Sequence, residues 1–131
     1  MNSESVNMEF DYRPSLLLVE DCDLIRSTVF LTLNKDFDIL TVANAEKALK
    51  ISREMSKIEV LITDYNLNDH HGRTGISVAK EFRIFHPSSP IILMTGDANT
   101  DCLIDLLQAV KGELLEKPFT PDELLKILNI N

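Results

Sequence analysis

The stretch Leu16-Leu17-Leu18-Val19-Glu20-Asp21 decides how the chain is read: four aliphatic side chains in a row, then two acids. A strand with one wet face alternates apolar and polar residues, whereas an unbroken aliphatic run suits a strand buried on both faces. Similar runs follow at Ile39 to Val42, Val60 to Ile62, Ile91 to Met94 and Leu114 to Leu115. Helical spacing fills the gaps between them. Leu103, Leu106, Leu107 and Val110 follow the i, i+3, i+4, i+7 rule, and Val78, Ala79, Phe82 and Phe85 form a second stripe. Asp23 before the apolar stretch Leu24 to Leu33, and Asn44 before Ala45, Ala48 and Leu49, are expected helix caps. Thr120-Pro121-Asp122-Glu123 combines an N-cap, a first-turn proline and a capping-box acid.

Strand then helix, five times over, calls for an α/β fold: a doubly wound parallel sheet with right-handed crossovers and helices on both faces. At 131 residues this is one domain, with the flavodoxin-like strand order 2-1-3-4-5. Residues 1–14 are polar, aperiodic and end in Pro14, and are expected to form a mobile tail before a domain over 15–131. Hydrophobic residues make up 44 % and charged residues 26 % of the chain, the balance of a globular protein with one core. A net charge of −8 argues against direct binding of nucleic acid or anionic lipid. No apolar run reaches the roughly 18 residues of a membrane span, and the acidic start is unlike a signal peptide, so the expected location is cytoplasmic. Cys22 and Cys102 form no C-x-x-C pair and are expected to be reduced thiols.

In such folds ligands bind beyond the carboxyl ends of the strands. There the chain places Glu20 and Asp21, Thr63 and Asp64, Thr95 and Gly96, and Glu116 and Lys117. Strands one, three, four and five are neighbours in the expected order, so these side chains can converge. Gathered carboxylates repel unless a cation joins them, and an all-oxygen set with open positions suits Mg²⁺. With that charge offset, a carboxylate can attack phosphorus and form an acyl phosphate. Asp64, on the more central strand, is the expected nucleophile, with Lys117 and the Thr95 hydroxyl balancing the transferred oxygens. Singly, each of these residues could be a helix cap or a turn residue. Their joint placement carries the reading.

Leu17-Leu18-Val19-Glu20-Asp21, Leu61-Ile62-Thr63-Asp64, Ile92-Leu93-Met94-Thr95-Gly96 and Leu115-Glu116-Lys117-Pro118-Phe119, in this order, resemble the response-regulator receiver family of two-component signalling, over about 15–130. The resemblance implies that Asp64 accepts phosphate from the phosphohistidine of a sensor histidine kinase or histidine phosphotransfer protein. It further implies Mg²⁺ held directly by Asp21 and Asp64, through water by Glu20, and by the backbone carbonyl of Asn66. Lys117-Pro118 is expected to be cis. The output is a shift in binding of a downstream protein by the face of the fourth helix, fifth strand and fifth helix, so the protein is a switch rather than an enzyme with a turnover substrate. It could stand alone, serve a relay or be part of a longer protein. Asn66 and Asp97 resemble positions that govern water access to the acyl phosphate.

Two departures from the family pattern stand out. Leu114 occupies the position, three before the lysine, where the family has Tyr or Phe as an aromatic switch; output coupling is expected to differ while Thr95 still moves. The segment Asn68 to Thr74 is longer than usual and lacks the common proline. His70 and His71 within it are expected to be solvated rather than metal ligands, and the loop is a candidate partner contact. Cys22 sits among acids that disfavour a thiolate, which argues for core or helix-start packing over redox sensing.

Three other readings are weaker. A haloacid-dehalogenase-like phosphatase shares Asp, Thr, Lys and Mg²⁺, but its nucleophile opens a D-x-D motif on the first strand. A flavin carrier needs a Ser/Thr/Gly phosphate loop where this chain has Glu20-Asp21-Cys22-Asp23. A binding-only pseudo-receiver would have lost part of the acidic set, which here is complete.

Overall fold

The computed structural model describes residues 12–96 and 101–130. Residues 1–11 of the expected tail and Asp97 lie outside the described residues. Five strands, β1 (Ser15–Val19), β2 (Asp38–Val42), β3 (Val60–Asp64), β4 (Ile91–Thr95) and β5 (Gly112–Glu116), alternate with α1 (Asp23–Leu33), α2 (Ala45–Glu54), α3 (Gly75–Phe85), α4 (Asp101–Val110) and α5 (Pro121–Ile127). All strand pairs are parallel, in the order β2-β1-β3-β4-β5. This is the expected flavodoxin-like α/β fold.

Alternating side chains of the central strands feed two cores. Leu17, Val19, Leu61 and Leu93 pack with residues of α2, α3 and α4, while Leu16, Leu18, Ile62 and Met94 pack with Val29 and Leu33 of α1 and Leu124 of α5. Burial on both faces holds for β1, β3 and β4 but not for the sheet edges β2 and β5, which expose Asp38, Leu40 and Thr41 and Glu113 and Glu116 respectively. The helical stripes are narrower than their spacing suggests. Leu103, Leu107 and Val110 are buried while Leu106 is 38 % exposed, and Phe85 at the end of α3 is 44 % exposed.

Asn44 caps α2 by accepting from the Lys47 N–H, and Thr120 and Glu123 close a capping box on α5. A second capping box, Thr74 with Ser77, starts α3. The expected cap Asp23 is instead the first residue of α1, where it pairs with Arg26; the N-cap is Cys22, with no side-chain cap bond. The acid still favours the helix start through the macrodipole. At the opposite end of the sheet, Tyr12 Oη donates to Glu59 at 2.6 Å, the Arg13 guanidinium donates to the Asn34 carbonyl, and the Asp38 N–H donates to the Pro14 carbonyl.

Candidate functional site

Because the strands run parallel, their carboxyl ends share one rim, and single backbone bonds carry three of them a residue further. The Glu20 N–H donates to the Val42 carbonyl, the Tyr65 N–H to Met94 and the Lys117 N–H to Thr95. The side chains that follow line one hollow of about 400 Å³, which includes Glu20, Asp21, Asp64, Asn66, Thr95 and Lys117. All six expected site residues thus lie at the same place. The Lys117–Pro118 bond is cis.

Lys117 Nζ donates to Glu20 Oε1 at 2.9 Å and to Asp64 Oδ1 at 3.0 Å. Those two acids are 0 % and 6 % exposed. Burial is the largest influence on both Glu20 and Lys117 and works against either charge. It holds the Glu20 carboxyl above its usual range despite the pull of Lys117 and the Cys22 N–H, and the Asp64 charge adds to the rise. For Lys117, burial is outweighed by its bonds to Glu20 and Asp64, which keep the ammonium protonated beyond the ordinary lysine range.

Lys117 thus pairs with two of three gathered acids: oxygens of Glu20, Asp21 and Asp64 lie within 4.8 Å of one another. The donor set is all oxygen, and one side stays open to water at half-buried Asp21 and exposed Asn66 and Gly96. Such a set fits Mg²⁺, which retains waters and accepts phosphate oxygens. Thr95 is buried at the end of β4, and its carbonyl anchors Lys117.

Three contacts at the hollow were not visible in the sequence. The Cys22 N–H donates to Glu20 Oε2, Arg26 Nη1 donates to the Glu20 carbonyl, and Asn68 Nδ2 donates to Asp21 Oδ2 at 2.8 Å. Only Asn68 carried a local signal, since Asn tolerates the left-handed backbone it adopts at φ 49°. His70 and His71 are exposed, as expected of the loop, and Cys22 is exposed at the start of α1, the second of its two expected places, rather than in the core.

Residues 16–129 match the family described as response regulator receiver domain. The chain belongs to that family, the receiving half of two-component signalling. Among solved structures, the chemotaxis response regulator CheY4 of Vibrio cholerae is 28 % identical with a TM-score of 0.77, covering 90 % of this chain and 98 % of that one. The receiver domain of the sensor histidine kinase PA1611 from Pseudomonas aeruginosa is 26 % identical with a TM-score of 0.75 over 90 % of this chain and 96 % of that one, and has a magnesium ion coordinated in its active-site cleft. The transcription factor SKN7 of Candida albicans is 36 % identical over 76 residues, which is 58 % of this chain and 13 % of that protein. The chain spans 13 % to 46 % of the length of the first curated transcriptional regulators it matches. No helix among the described residues is long and apolar enough to cross a membrane.

Proposed function

We propose that the chain is a cytoplasmic phosphoacceptor switch, with residues 15–131 as the receiver unit, and that Asp64 takes a phosphoryl group from a phosphohistidine of a sensor histidine kinase or histidine phosphotransfer protein. An Asp64 carboxylate oxygen attacks phosphorus, the P–N bond breaks, and the released imidazole recovers a proton. The product is an acyl phosphate on Asp64. The observation that carries this reading is the Lys117 ammonium held by both Glu20 and Asp64 at one rim of the sheet. Lys117 is thereby placed to follow charge onto the transferred oxygens, and the Thr95 hydroxyl is a donor for another. Asp21 and Asp64, with Glu20 through water and the Asn66 carbonyl, would hold Mg²⁺; when bound, the ion offsets the charge of the incoming phosphoryl group. The bound magnesium of the PA1611 receiver supports that assignment. Phosphorylation then shifts a conformational equilibrium read by a downstream protein at the face of α4, β5 and α5.

Incubation with Mg²⁺ and acetyl phosphate, followed by mass measurement, tests the proposal. One hydroxylamine-labile phosphoryl group is expected on the wild type and none on Asp64→Asn. Rapid turnover of many phosphate esters, or equal labelling of both proteins, would overturn it.

A further inference from the structure

Asn68 is not among the residues through which the proposed phosphoacceptor site is built, yet its carboxamide reaches Asp21 across 47 residues of sequence. Among the described residues, this is the one side chain bonded to the Asp21 carboxylate, and it occupies Oδ2. The backbone around Asn68 is fixed from both sides. Leu67, immediately before it, is buried in the core shared with α2, α3 and α4. Asp69, immediately after it, accepts from Arg73 Nε and Nη2 and from the His71 and Arg73 N–H groups, closing the loop on itself. The Thr74–Ser77 capping box then ties the loop's end to α3. Asn68 is therefore delivered to Asp21 by a braced segment, in a backbone conformation that Asn and Gly tolerate and most residues do not.

We infer that Asn68 is a positioning residue for cation binding at the acidic hollow: it holds Asp21 Oδ2 and so fixes the direction in which the other carboxylate oxygen is offered. The inference rests on the receiver reading, and it gives a role to the long segment Asn68 to Thr74. Partners that orient a ligating carboxylate are worth about ten-fold or more in metal affinity.

Asn68→Gly removes the carboxamide while accepting the positive φ, so the loop keeps its path. Titration calorimetry with Mg²⁺ alone is expected to show affinity about ten-fold weaker than wild type, the low end of the range because Asn68 is exposed. With acetyl phosphate, the Mg²⁺ concentration for half-maximal labelling should rise by the same factor while the rate at saturating Mg²⁺ is retained. A purely structural role in the loop would instead lower the thermal midpoint in EDTA and leave the Mg²⁺ requirement unmoved. Equal Mg²⁺ affinity in the variant and the wild type overturns the inference and leaves the receiver reading standing. Failure of the unaltered chain to bind Mg²⁺ overturns both.

Discussion

Gly75 opens α3 against the end of β3, where a Cβ would lie 2.2 Å from the Asp64 carbonyl oxygen and 2.7 Å from Leu93 Cδ1. Its N–H donates to the Tyr65 carbonyl at 2.7 Å, so helix and strand end meet backbone to backbone. Gly75→Ala must displace the strand that carries Asp64, at a cost of about 1–3 kcal/mol. Urea unfolding should show that loss, with slower phosphoryl labelling beside it; unchanged values for both would contradict the contact. Asp64 itself illustrates the opposite sign. It is buried, with a carboxylate oxygen within 4.8 Å of oxygens of Glu20 and Asp21, and one ammonium, Lys117, is shared between it and Glu20. Asn in its place keeps a carbonyl oxygen for Lys117 and removes one charge from the crowd. Asp64→Asn is therefore expected to be more stable than the wild type in EDTA, by about 1 kcal/mol given an effective dielectric well above that of dry protein. Excess Mg²⁺ should narrow or reverse the difference by binding the wild type more tightly. A less stable variant in EDTA would mean that attraction to Lys117 outweighs the repulsion.

At the scale of elements, the loop between β3 and α3 is pinned to the core at Leu67, and beyond Asn68 it is held by the Asp69 carboxylate. The Arg73 guanidinium keeps the Asp69 carboxyl well below the usual carboxylate range; burial opposes this, and the Arg73 and His71 N–H groups add to the lowering. A depressed folded pKa means that the contribution to stability is full above the unfolded value of about 3.9 and is lost as pH falls through the folded one. Asp69→Asn should therefore weaken acid sensitivity below about pH 4. It should also speed amide exchange at Gly72 and Arg73 at pH 6; identical exchange in both proteins would show that the brace is not what orders the loop. The sequence marked this loop as long but not as braced, because the bond that braces it depends on a turn at Gly72 with φ 74°. Caps, by contrast, are local chemistry, and Asn44, Thr120 and Glu123 could be read directly. The three strands buried on both faces could also be read from their aliphatic runs. Edge position cannot be read that way: Ile39-Leu40-Thr41-Val42 looks like an inner strand until the order of the sheet leaves Leu40 41 % exposed. The acidic hollow was legible because parallel strands turn a one-dimensional rule, the residue after each run, into a shared place. Asn68 was not, since its bond to Asp21 spans two loops.

For the whole molecule, the proposed output requires a change at Asp64 to reach the face formed by α4, β5 and α5. The sheet offers a continuous route: Asp64 pairs with Met94, Met94 with Leu115, and Thr95 with Glu116, while the Thr95 carbonyl holds the Lys117 N–H at 2.7 Å. Leu114, which stands where the receiver family usually has an aromatic ring, is partly buried and packs against the core that includes Leu103 and Leu107 of α4. A leucine there has no ring to swing between an exposed and a buried position. On the proposed reading, a shift passes through the backbone at the ends of β4 and β5, with Leu114 staying packed. A stable phosphoryl mimic added with Mg²⁺ should move the amide resonances of Tyr65, Thr95, Gly96 and Lys117, which lie around the hollow, and spare Ser15 and Asp38 at the far end of the sheet. The Leu114 methyl resonances should move little, and Leu114→Val should preserve the pattern at Thr95 and Gly96, because side-chain volume at 114 supports the core without relaying the signal. Matching spectra with and without the mimic would show that Asp64 and the β4–β5 end are uncoupled. A large shift confined to the Leu114 methyls would instead show that the aliphatic side chain has taken over the aromatic's part.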